Sequence, residues 1–226
     1  MTERSPHPRG GPRNAGPWEA AVSPARGRAA ASIRRLAELL VRHEVDEPTL
    51  DEVAAELDRQ ASVLDGALDR LHGVDELKSE AYDGTPADGE RTHHNPDCIV
   101  CGPGNPSGLG LVVHRDGDAV VGEMVVGQLQ RGAPGRAHGG VLALAIDDLM
   151  GHVLVLCGTP AYTVRLEVDY LAASPVDEPI HFRAWLAGRN GRRLTIRAEA
   201  HAGHRLLVRA EGLFITVDHL RTPATP

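Results

Sequence analysis

His138-Gly139-Gly140 ends a Gly/Pro loop and opens an apolar run that reaches Asp147. Residues of these types at this spacing suit chemistry at a carbonyl group. A helix N-terminus leaves backbone N–H groups unpaired and carries partial positive charge, and glycines there let an anionic oxygen approach without Cβ obstruction. Such amides stabilise the oxyanion of an acyl-transfer intermediate. A carboxylate on the same helix can take a proton from water or attack the carbonyl itself. From Val141 to Leu156 only Asp147, Asp148 and His152 are strongly polar, which predicts a core helix from Gly139 to about Leu156. On a 100° wheel Asp147 shares its face with Gly140, Ala143, Met150, Gly151 and Leu154. It is therefore the expected buried carboxylate, costly to ionise unless water or a polar ligand reaches it. Asp148 stacks instead with Leu144 and His152.

Gly139 and Asp147 are about 12 Å apart along a helix axis at the standard rise. One carbonyl cannot touch both. If they serve the same reaction, the simplest geometry pairs the helix start of one subunit with the carboxylate of a second across a two-fold axis. The expectation is an obligate homodimer, or a dimer of dimers, with shared sites.

The elements that must position these residues can be read outward from the helix. Leu109 to His114 and Ala119 to Val126 flank a turn at Asp116-Gly117, and four strands are expected after the helix. Val164, Leu166, Val168 and Tyr170 alternate with Arg165, Glu167 and Asp169, so the first of these strands should turn one face to the helix. Ile180 to Ala187, Leu194 to His201 and Leu206 to Val217 follow, the first pair joined by a predicted type I′ turn at Asn190-Gly191. Upstream, residues 1–28 read as a disordered tail rich in Pro, Gly, Ser and Arg. Residues 29–72 read as a helical hairpin. Its first helix has Ile33, Leu36 and Leu40 inward and Arg34, Arg35, Glu38 and Arg42 outward; its second starts at Thr49-Leu50-Asp51-Glu52 and carries Leu57, Ala61, Leu64, Leu68 and Leu71. Residues 73–97 are a polar linker, 98–217 the sheet domain and 218–226 a second disordered tail.

His-Gly-Gly, six apolar residues and Asp, behind the Gly132-Ala133-Pro134-Gly135 loop, together resemble the hotdog-fold acyl-coenzyme A thioesterases. The nearest likeness is to the phenylacetate-degradation-type subfamily and its mammalian thioesterase-superfamily relatives. The resemblance extends to Cys98-Ile99-Val100-Cys101-Gly102 with Asn105-Pro106-Ser107-Gly108-Leu109, to Val168-Asp169-Tyr170-Leu171 with Pro175, and to Gly188-Arg189-Asn190-Gly191-Arg192. It covers residues 98–217. It implies an α+β hotdog fold, an antiparallel sheet wrapped around a central helix, here with an N-terminal helical extension. It also implies hydrolysis of an acyl-coenzyme A thioester to free acid and coenzyme A, as in lipid metabolism. The Gly139 amide would be the oxyanion donor, Gly140 would allow close packing, and Asp147 would be general base or nucleophile. His138 would shape the loop or contact the thioester, and Gln130 would place an amide near the thioester oxygen. Thr163 falls where relatives put a hydroxyl beside the carboxylate, but alternation sets it with Arg165, so only a bulge or the strand's start brings it in. Arginine forks at Arg189, Arg192 and Arg193 suit the phosphates of coenzyme A. No metal or redox cofactor is implied; coenzyme A enters only with the substrate. A hotdog hydratase or dehydratase and a non-catalytic acyl-coenzyme A sensor are the rival readings.

A net charge of −7 and the lack of a basic stripe with interleaved aromatics argue against nucleic-acid binding. No apolar run approaches the ~18 residues of a membrane span, and no signal-type apolar segment opens the chain, so a cytoplasmic protein is expected. Three cysteines, with Cys98 and Cys101 in a C-x-x-C, argue for free thiols rather than a disulfide framework. Together with His93 and His94 they offer four donors of zinc type. Against that, adjacent histidines point apart in an extended chain and a second C-x-x-C is missing.

Overall fold

The computed structural model describes residues 22–67, 82, 84–92 and 95–217. In chain order the elements are α1 (Pro24–Arg42), α2 (Glu47–Asp65), β1 (Val112–Asp116), β2 (Ala119–Val125), a 3-10 turn (Gln128–Gln130), α3 (Gly139–Leu156), β3 (Ala161–Tyr170), β4 (Pro179–Asn190), β5 (Arg193–Ala202) and β6 (Arg205–Thr216). The six strands form one antiparallel sheet in the order β1-β2-β4-β5-β6-β3. Long-range antiparallel pairing leaves β1 and β3 as the edges.

α3 is the core of this sheet. Leu142, Ala145, Ile146, Leu149 and Val153 are fully buried and belong to one cluster with Ile180 and Phe182 of β4, Leu194, Ile196 and Ala198 of β5, and Leu207, Val208 and Phe214 of β6. By length and composition α3 would also pass for a membrane span, yet most of it lies inside the fold. The small side chains Ala184, Ala198, Ala200 and Ala210 let the sheet curve closely around it. Gly212 does the same at one point, since a Cβ there would come within 2.6 Å of Met150 Sδ.

Several expectations need correction. The first helix begins at Pro24, with Ser23 Oγ accepting from Arg26 N–H as its cap and Val22 buried, so order reaches back into the expected tail. The second starts at Glu47, capped by Asp46 instead of Thr49. The hairpin does not close. α1 packs on the 3-10 turn and not along α2, and no residue of α2 is buried. Leu57 and Leu64 stay exposed, and Leu68 and Leu71 lie outside the described residues, as do 1–21 and 218–226. Part of the expected linker belongs to the sheet domain: Thr92 N–H donates to Val113 O and Arg115 N–H to Glu90 O along β1. The hairpin loop after β4 is Gly191-Arg192, because Asn190 pairs with Arg193. Positive φ occurs there only at Gly191, at 57°, which fits a type II′ turn rather than type I′.

Candidate active site

His138 ends the loop and caps α3. Its Nδ1 accepts the Gly140 N–H at 3.0 Å, and its own N–H donates to Gln130 O at 3.0 Å. The two glycines therefore differ. Gly140's amide is taken by the cap, whereas Gly139's N–H meets no acceptor among the described residues. The Tyr170 hydroxyl donates to Gly139 O at 2.9 Å, and a Cβ on residue 139 would stand 3.2 Å from the Tyr170 ring. A larger residue there would displace that ring. Gln130 Oε1 accepts from Gly127 N–H at 3.1 Å, which leaves its NH2 group as the donor it can offer.

Halfway along α3, Thr163 Oγ1 donates to Asp147 Oδ1 at 3.0 Å. Strict alternation forbade this contact, and the pairing of β3 with β6 shows why it forms. The register slips between Thr163 and Arg165, so Val164 bulges outward at 56% exposure and the residues before it change face. Asp147 and Thr163 line a cleft of about 280 Å³ with Tyr82, Cys98, Asp148 and Phe214. Burial and the nearby Tyr162 push the Tyr82 phenol up to about 12, so it stays a neutral hydroxyl there.

The expected buried carboxylate is the wrong member of the pair. Asp147 is half-buried, while Asp148 is only 8% exposed. The cause is a segment distant in sequence, Asn95–Gly102, that folds over Asp148's side of the helix. Cys98 Sγ donates to Asp148 Oδ1 at 3.0 Å, His152 Nε2 lies 3.5 Å from Asp148 Oδ2, and His152 Nδ1 lies 2.8 Å from Thr92 Oγ1. The hydrogen bond to Cys98, burial and the charge of Asp148 together push the Cys101 thiol far above its ordinary value.

The loop that leads to His138 is braced from α1. Glu38 accepts both the Gln128 and Leu129 N–H groups at 2.9 Å, Arg34 donates to Asn105 O at 2.5 Å, and Arg42 pairs with Asp177. These were the residues expected to face solvent. They dock because the surface they meet offers unpaired amides and carbonyls, which need charge and not apolar cover. Gly127 permits the approach, since a Cβ there would lie 2.5 Å from Glu38 Oε2. Asp177 holds a φ of 62°, and its carboxylate joins Arg42 to Gln128 Nε2.

Burial works against charge on Glu38, but the Leu129 and Gln128 amides and Arg42 more than offset it and hold the carboxyl below its ordinary 4.5. Arg42, then Gln128, lower Asp177 likewise. Depressed folded values mean that the docking is fully present above about pH 5 and is lost as pH falls through them. Amide hydrogen exchange at Gln128 and Leu129, corrected for intrinsic rate, should lose protection on acidification, and Glu38→Ala should lose it already at pH 7. Equal protection in that variant would show that α1 does not brace the loop.

The arginine hairpin lies near Cys157, just past the C-terminal end of α3: burial raises that thiol's pKa, and the charge of Arg189 opposes the rise only in part. Arg192 Nε and Nη2 both donate to Thr216 O, so its guanidinium secures the end of β6. Arg189 and Arg193 are exposed. His93 and His94 lie outside the described residues.

Sequence reasoning missed the roles of Tyr170, Glu38 and Asp148. Tyr170 carried a faint signal as the last apolar member of an alternating strand.

One antiparallel sheet wound around one helix, with glycines at the helix start and a carboxylate at its middle, defines a hotdog protein. Residues 134–209 match the model of the thioesterase superfamily. A crystal structure described as a thioesterase superfamily protein is 26% identical with a TM-score of 0.71, covering 84% of this chain and 90% of its own. That likeness extends past the sheet domain into the N-terminal segment. The Escherichia coli PaaI protein of the phenylacetic acid degradation operon is 16% identical over 48% of this chain and 80% of its own, with a TM-score of 0.46. A hypothetical thioesterase from Streptococcus pneumoniae, solved with coenzyme A, is 20% identical over 44% of this chain and 82% of its own, with a TM-score of 0.43. No curated protein matches the chain.

Proposed function

We propose that this protein hydrolyses acyl-coenzyme A thioesters to a free acid and coenzyme A. The observation that carries the reading is the Asp147 carboxylate held by Thr163 at the wall of a cleft, on the same helix whose first amide, at Gly139, meets no acceptor among the described residues. In the base form of the reaction Asp147 takes a proton from water as the water oxygen attacks the thioester carbon. The Gly139 N–H holds the resulting oxyanion, and collapse breaks the C–S bond to release the coenzyme A thiolate. In the nucleophile form Asp147 attacks the thioester carbon directly, collapse breaks the C–S bond and releases the coenzyme A thiolate to leave an anhydride, and water then cleaves the anhydride to the free acid and the Asp147 carboxylate.

If the two groups serve one reaction, their spacing along α3 is met most simply by residues from two different subunits. β3 supports a two-fold partner: it is a sheet edge, and Tyr162, Val164, Tyr170 and Leu171 on or beside it are large, apolar and exposed. Arg189 and Arg193 are then the candidates for the phosphates of coenzyme A. A hydratase reading fits less well, because His138 spends Nδ1 on its helix cap and His152 is fully buried.

The test is thiol release from a panel of short, long and aromatic acyl-coenzyme A substrates. Turnover supports the hydrolase; binding without turnover would move the reading to a sensor. Thr163→Val should cost about 10-fold in kcat by removing one hydrogen bond to a charged group, and Thr163→Ser should restore most of it. Equal rates in all three proteins would remove Thr163 from the site.

A further inference from the structure

We propose that Cys98, Cys101 and Asp148 form a binding site for a thiophilic divalent cation, with zinc(II) the ion whose chemistry fits. The donor atoms, one from each residue, lie within 4.8 Å of one another. A tetrahedral zinc ion with bonds of about 2.0–2.3 Å holds its donors roughly 3.3–3.8 Å apart, so small side-chain rotations close the set. Two sulfurs and one carboxylate oxygen match the preferences of zinc and are poor ligands for magnesium or calcium.

The surroundings are arranged as a metal's would be. The Cys98-to-Gly102 segment is a tight turn in which Gly102 N–H donates to Cys98 O at 3.0 Å and Val100 N–H donates to Cys98 Sγ at 3.3 Å. An amide aimed at sulfur favours the thiolate over the thiol. Gly102 makes the turn possible, because a Cβ there would sit 2.3 Å from Cys98 N. Behind the carboxylate, His152 Nε2 stands 3.5 Å from Asp148 Oδ2, and its Nδ1 lies 2.8 Å from Thr92 Oγ1, a polar second layer of the kind that accompanies metal ligands. A dication also answers the electrostatic problem of the pocket. Without one, Cys98 Sγ donates its proton to Asp148 Oδ1; with one, each thiol gives up its proton to solvent and the two sulfurs and the carboxylate surround the cation. Three protein donors leave a fourth position, and the cleft lined by Cys98 and Asp148 admits water to fill it.

This site differs from the set that the sequence suggested. Its third donor comes from α3, some fifty residues away, and neither His93 nor His94 enters the argument. It is independent of the hydrolase reading, and no catalytic step passes through it.

The experiment uses the untagged, fully reduced full-length chain. After dialysis against zinc and then buffer, elemental analysis should find about one zinc per chain, and cobalt(II) in its place should show thiolate-to-cobalt charge-transfer absorption. Zinc should slow alkylation of Cys98 and Cys101 by at least about 10-fold, with the exposed Cys157 unaffected as the internal control. The Cys98→Ser/Cys101→Ser protein should bind neither ion. Should that variant fail to fold, the cobalt spectrum and the alkylation rates of the unaltered chain decide alone. No charge transfer with unchanged alkylation would overturn the proposal and leave a neutral thiol–carboxylate hydrogen bond. Zinc retained by the double variant would overturn it as well, placing the ion on other donors.

Discussion

On the proposed mechanism, Asp147→Asn should lower the rate of acyl-coenzyme A hydrolysis by a factor of about 10² to 10⁴, the range expected when a positioned general base is lost. The amide keeps the carboxylate's shape and can still accept the Thr163 hydroxyl, so the cleft and the helix remain as they are. What it cannot do is take a proton from water or attack a carbonyl. Substrate binding should change little, since on that mechanism Asp147 acts in the transition state and not in recognition, so kcat should fall while KM stays near its starting value. Thiol release by the two proteins, matched for circular dichroism and for mass in solution, is the measurement. Full activity in the variant would show that another group performs the reaction.

Leu149→Ala should destabilise the protein by about 3 kcal/mol, the middle of the range for a buried leucine truncated in a packed core. Leu149 is fully buried on α3, and it reaches β2 so closely that a Cβ on Gly122 would lie 3.2 Å from Leu149 Cδ1. Side chains on a curved sheet and a helix at its centre cannot move inward together, so the cavity stays open. Urea unfolding should show a lower midpoint at unchanged m. A shift below about 1 kcal/mol would mean that the sheet collapses onto the helix after all.

The sequence carried the periodic and local parts of this structure. α3 begins and ends where its glycines and apolar run placed it, and β2, β5 and β6 lie within a residue or two of their expected bounds. Contacts between distant segments were not legible. The choice between Asp147 and Asp148 as the buried carboxylate depended on a cover supplied by residues some fifty positions earlier, which no helical wheel contains. The Thr163 contact depended on a bulge, and alternation cannot register one extra residue. α1 turned over for a related reason. Periodicity marks the apolar face as the buried one, but the surface available to this helix is a loop rich in unpaired backbone groups. Its polar face docks, and Ile33, Leu39 and Leu40 are left exposed.

Glu38 has a thermodynamic meaning beyond its hydrogen bonds. One carboxylate holds both the N-terminal helix and the amides of the turn that carries Gln130 toward His138, so release of the helix and loosening of the turn are a single equilibrium. Free-energy coupling runs equally in both directions. A molecule that binds more tightly to the ordered turn must hold α1 down by the same factor, and one that lifts α1 must weaken that binding equally.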